Sequence, residues 1–198
     1  MTKTELCNRT LGFIGHDRTI TDYDGQTEGV YNDRSTEAIR CRLFLPVAIA
    51  DCLAEHNWDF AARERRYDLA WQDADGYATI QRPADCARLV AVMDSEERPI
   101  KVKQANGLLY IKKGEATTSV TVRWVSSDAD LDDWPPKFAD AVVAKLAELI
   151  SGPMFGDASK TNAYMQLAQQ RIAAAITAEA DETSYKGETV NPFIKARG

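Results

Sequence analysis

The sequence predicts a mixed α+β protein: an antiparallel bundle of four helices interrupted by an antiparallel β insertion, with an extended C-terminal tail. Three observations predict it. Apolar residues recur at helical spacing in four stretches, two before residue 58 and two after residue 131. Between them the period changes to short strand-like runs separated by turn signals. The final residues are mainly polar. The boundaries that follow are 1–57 and 132–183 for the bundle, 58–131 for the β insertion and 184–198 for the tail.

The first helix is expected over residues 4–14, with Leu6, Cys7, Leu11 and Ile14 on one face and Gly15 as its stop. Residues 16–34 are polar and rich in Asp, Gly and Thr, a loop with Ile20 and Val30 as tether points. Ser35 is a good N-cap for the second helix, which runs to Asn57. Leu43, Val47, Ala50 and Ala54 form its expected apolar stripe, flanked by Ile39 and Leu53. Pro46 lies inside and is expected to kink or divide the helix.

From Trp58-Asp59-Phe60-Ala61 onward, strand character is expected over 77–80, 87–93, 100–102, 108–111 and 119–125, with a partly alternating stretch over 62–71. Asn106-Gly107 is the best hairpin turn, since both residues tolerate positive φ. Five or six strands at this spacing suggest a compact antiparallel sheet, sandwich or small barrel. Pro135 and Pro136 suit the first turn of a third helix carrying Phe138, Val142, Leu146, Leu149 and Ile150. Ser151-Gly152-Pro153 is its expected end. An alanine-rich fourth helix is expected over residues 157–181, with Thr161, Met165, Ala168, Ile172, Ala175, Ile176 and Ala180 on one face. Trp58 and Trp134 flank the two crossings between helical and β parts. With Phe60 and Phe138 they read as a structural seam.

The net charge of −6 argues against a duplex-DNA binder, which needs a basic face. It permits DNA to pass through an acidic channel without sticking. No run reaches the ~18 apolar residues of a membrane span. The N-terminus lacks the apolar core of a secretory signal, so a cytosolic protein is expected. Cys7, Cys41, Cys52 and Cys86 form no CxxC pair and read as reduced packing residues.

Catalytic signals are sparse. His16 and His56 are the two histidines. Cys52 and His56 stand at i, i+4, without a third orienting group. No HExxH, GxSxG or phosphate-loop pattern occurs. Asp128, Asp130 and Asp132 match the opening of a calcium loop. Asp133 then stands where its glycine belongs, and Ala139 where its glutamate belongs. The expectation is no catalytic residue, no metal and no cofactor. Arg63, Arg65 and Arg66 are the densest basic group, either an inter-subunit patch or outward charges on an edge strand. In the tail, Tyr185, Val190, Asn191, Pro192, Phe193, Ile194, Lys195 and Arg197 have the composition of a docking peptide.

Four passages together resemble the phage head–tail adaptors of the tail tubular protein A, or gatekeeper, family. They are Leu11-Gly12-Phe13-Ile14-Gly15, the 38–53 helix running into Trp58-Asp59-Phe60-Ala61, the Pro135-to-Ala147 stretch, and the long alanine-rich helix from Asp157. Pro46 departs from the pattern. The smaller connectors of long-tailed phages match less well. The resemblance implies a structural virion protein made in the host cytoplasm. It implies a ring of about a dozen copies under the portal protein, joined to a tail or nozzle protein. DNA would pass without sequence-specific binding, and no membrane would be involved. Residues 185–197 would then be the portal-docking tail. Two rivals stand beside this reading: an assembly factor that leaves the particle, and a small cytosolic enzyme using Cys52 and His56.

Overall fold

The computed structural model describes residues 1–72, 76–115 and 118–187, with backbone alone for 71–72 and 183–187. It is a mixed α+β protein with four α helices and antiparallel sheets among the described residues. The chain divides into two compact units, one of Met1–Cys52 with Asp130–Gly198 and one of Leu53–Ala129.

In the first unit, α1 spans Lys3–Phe13. Thr2 and Glu5 close a reciprocal capping box: the Thr2 hydroxyl accepts the Glu5 N–H, and the Glu5 carboxylate accepts the Thr2 N–H. Gly15, at φ 73°, follows as the sequence predicts. The loop after it is pinned where expected at Ile20, whose backbone is bonded both ways by the Asn8 side chain. Val30 is no tether. It lies exposed on a minimal hairpin of β1 (Gln26–Thr27) and β2 (Val30–Tyr31).

Helix α2 spans Thr36–Glu55, and the Ser35 hydroxyl accepts the Ala38 N–H as its cap. Pro46 does not divide the helix, which runs unbroken through it, and the proline lies on the exposed side. The expected apolar stripe does not hold. The inward row is Ala38, Cys41, Leu45, Ala48 and Cys52 with Leu53, whereas Ile39, Leu43, Val47, Ala50 and Ala54 face outward. Both rows keep helical spacing and both are apolar, so period alone does not choose between them.

Helix α3 spans Pro136–Phe155 and buries Phe138, Val142, Leu146 and Ile150. It overruns the expected stop and ends at Gly156, whose φ of 62° supplies the left-handed cap. Pro153 lies in its last turn, where a missing N–H removes one bond at most. Helix α4 spans Ala158–Gly187 and packs on α3, which also packs on α1. Of its expected face, Ala168 and Ala175 are buried, Ile172 and Ile176 half-buried, and Met165 and Ala180 exposed. It runs six residues past the expected 181, so the backbone at Tyr185 is helical rather than extended.

In the second unit, Trp58 is buried ahead of a single 3-10 turn, Asp59–Ala61. The strands are β3 (Ala62–Asp68), β4 (Trp71–Gln72), β5 (Tyr77–Gln81), β6 (Cys86–Met93), β7 (Val102–Ala105), β8 (Leu108–Lys112) and β9 (Ser119–Ser126). They form two antiparallel sheets, ordered β3-β9-β6 and β4-β5-β8-β7. Ile80, Val92, Leu109, Ile111, Val120, Val122 and Trp124, drawn from both sheets, make one apolar core. Asn106 and Gly107 turn β7 into β8 with φ of 52° and 73°, as the dipeptide predicts.

Candidate interaction surfaces

The site with most exposed apolar area lies in the first unit. Leu43 is 63% exposed, Ile39 55% and Val47 45%. These values are large for side chains that each gain ~1.5–3 kcal/mol on burial. Val30 and Tyr31 from the small hairpin extend the patch, and Arg34 and Arg42 rim it. Together with Ile39 and Leu43 they enclose a groove of about 500 Å³. Arg42 fixes the hairpin to the helix. Its guanidinium donates to the carbonyls of Tyr23 and Asp33 and lies 4.2 Å over the Tyr31 ring. Asp33 is held in turn by N–H groups of Thr21 and Ser35. Hydrogen bonds from Ser35, then Thr21, keep its carboxyl well below the ordinary range. The groove wall is therefore a braced structure.

A second cleft of about 400 Å³ lies in the β unit, lined by Asn57, Asp59, Arg63, Glu64, Val90 and Arg123 among others. Its charges are mixed, and the Arg123 guanidinium donates to Glu64 at 2.8 Å. In the same unit, Asp85 accepts from the Ser126 hydroxyl at 2.6 Å and from the Trp124 indole N–H at 3.1 Å. Burial pushes the Asp85 carboxyl up, but the bonds from Ser126 and Trp124 outweigh it and hold it below the ordinary value.

The three arginines predicted as one group do not share a face. Arg63 stands opposite Trp124 and Arg65 opposite Val122, on the core side of the sheet, whereas Arg66 points to the other side. All three are exposed, because β3 is an edge strand. Arg65 lies 5.3 Å over the Tyr67 ring. Inward-pointing charges on an edge discourage pairing with another chain.

Of the aromatic residues expected as a seam, Trp58 and Phe60 belong to the β unit and Trp134 and Phe138 to the helical unit. Trp58 meets His56 edge-on at 5.1 Å and Phe60 at 6.1 Å in the β unit. Trp134 meets Phe138 edge-on at 4.9 Å in the helical unit. Cys52 is fully buried. Asp130 caps a 3-10 turn by accepting the Asp132 N–H, and Asp132 binds the N-terminal ammonium at 2.6 Å. Among the described residues no three His, Cys, Asp or Glu side chains gather as a metal site. Val190, Asn191, Pro192, Phe193, Ile194, Lys195 and Arg197 lie outside the described residues, as does the Tyr185 side chain.

Sequence reasoning missed the α2 groove and Asp85. The signal for the groove was present: α2 is apolar on more than one side, and such a helix is either wholly buried or covered by a partner. No described helix is long and apolar enough to cross a membrane. Scanned against protein-family models and compared with curated proteins, the chain finds no match.

Proposed function

We propose that this chain is a non-catalytic structural protein of a tailed phage, a head–tail adaptor. Copies form a ring under the portal protein and join it to the tail around the DNA channel. The observation that carries the reading is the exposed apolar face of α2, with Leu43 63% exposed on a braced helix. A side chain row of this size on a rigid element suits a protein that works while covered by other copies. The resemblance of four sequence passages to the gatekeeper family supplies the identity of the assembly. The net charge of −6 suits a channel that DNA crosses without sticking. Cys52, the nucleophile of the enzymatic rival, has no exposed surface for a substrate to reach.

In this reading the helices of 1–52 and 130–187 act as one antiparallel bundle into which 53–129 is inserted. The tail, residues 184–198, contacts the portal. A chain ending at Gly187 tests this. It loses co-sedimentation with portal rings while remaining folded, as its thermal melt checks. Full portal loading by the truncated chain removes the docking role of the tail.

A further inference from the structure

We propose that the outward face of α2 is covered by the outward face of α4 from a second copy of this chain. The inference deepens the adaptor reading and rests on it for ring closure, while the contact itself is a property of this chain alone.

The α2 face presents large apolar side chains one turn apart, Ile39, Leu43 and Val47, then small ones, Ala50 and Ala54. Such a row needs a flat, small-residue partner that lets the helices approach closely. Helix α4 offers one. Ala173, Ala174, Thr177 and Ala180 are exposed on one side of its C-terminal half, with Gln166 and Gln170 on the same side before them. The Thr177 hydroxyl already donates to the Ala173 carbonyl, so burying it strands no donor. Among the described residues of this long helix only Ala168 and Ala175 are fully buried, which leaves most of its surface free for packing.

Charge favours the same pairing. Arg34 and Arg42 rim the α2 groove and Arg40 flanks it. The α4 face ends in one acidic residue, Asp181, exposed beside Ala180. A second α2 face would bring arginine against arginine, so a symmetric α2–α2 dimer is disfavoured. The two faces are different surfaces of one chain, so their pairing is head-to-tail. That is the kind of contact that closes into a ring or propagates into a filament.

Sedimentation velocity on the full chain tests it. Leu43→Glu places a carboxylate in the apolar row, and Ala174→Arg places a bulky cation on the α4 face. Both positions are exposed, so both variants keep the wild-type melting temperature. Ile39→Glu replaces Leu43→Glu if the latter fails to fold. Wild type forms concentration-dependent species larger than a dimer. Each variant alone associates at least ~10-fold more weakly. An equal mixture of Leu43→Glu and Ala174→Arg restores one intact contact per pair and gives a dimer and nothing larger.

The proposal is overturned by a wild type that stays monomeric at every concentration, or by a mixture that stays monomeric. Association of either variant at wild-type strength also overturns it. A chain ending at Gly187 that stops associating, while Ala174→Arg does not, assigns the groove to residues 188–198 instead. Portal loading without self-association refutes this contact and leaves the adaptor reading standing. Self-association without portal loading does the reverse.

Discussion

Asp85 is the residue on which the polar wiring of the β unit converges. Its carboxylate accepts the Trp124 indole at 3.1 Å and the Ser126 hydroxyl at 2.6 Å, groups about forty positions away in sequence. Asp85→Ala leaves both donors without that acceptor and costs ~1–3 kcal/mol of unfolding free energy, measured by chemical denaturation. Asp33 adds a pH dependence. Its carboxyl is depressed below the ordinary value of 3.8, with Ser35 and then Thr21 donating to it. A group depressed in the folded state stabilises fully above its unfolded pKa and loses that contribution as pH falls below it. Denaturation midpoints therefore drop as pH falls below about 3.8, and Asp33→Asn flattens that part of the curve. A curve unchanged by Asp33→Asn contradicts this assignment. Ser35 was legible as a cap because capping is local, three residues from donor to acceptor. Asp85 was not, because nothing in a single sequence says which distant strand its carboxylate will meet.

Among the elements, α2 separates two kinds of apolar residue. Leu45, on the inward row, is fully buried, and Leu45→Ala costs ~2–5 kcal/mol. Leu43 lies two positions earlier on the outward row, and Leu43→Ala changes monomer stability by less than about 0.5 kcal/mol. Equal losses at the two positions in a thermal melt would refute the assigned orientation of the helix. Pro46→Ala restores a missing N–H inside the helix and stabilises by up to ~3 kcal/mol. No change there would mean that the helix has already accommodated its proline. The existence of all four helices and the Asn106-Gly107 hairpin was readable from period and turn chemistry. Which side of α2 faces inward was not, because sequence period marks a face without saying what covers it. The overrun of α3 past Pro153 was unreadable for a related reason. The left-handed cap at Gly156, not the proline, sets the end of that helix.

At the scale of the whole molecule, the adaptor reading joins three features: an apolar helix face left open, a long small-residue helix, and an acidic chain that DNA would pass without adhering. Sequence motifs suggested the assembly but not the surface by which copies meet, since an exposed face becomes visible only when the inward row is known. The surface charge makes one further demand. Salt weakens contacts between the arginine rim and the acidic end of α4, so self-association of the full chain falls between 50 mM and 500 mM salt, by less than tenfold if apolar burial dominates. Electron microscopy of the full chain mixed with the portal rings that the adaptor reading assigns to it tests the central claim most directly. The account predicts one closed ring of this chain added to a single face of each portal, in a copy number that matches the portal symmetry. Portals that stay bare in the presence of excess folded protein contradict it.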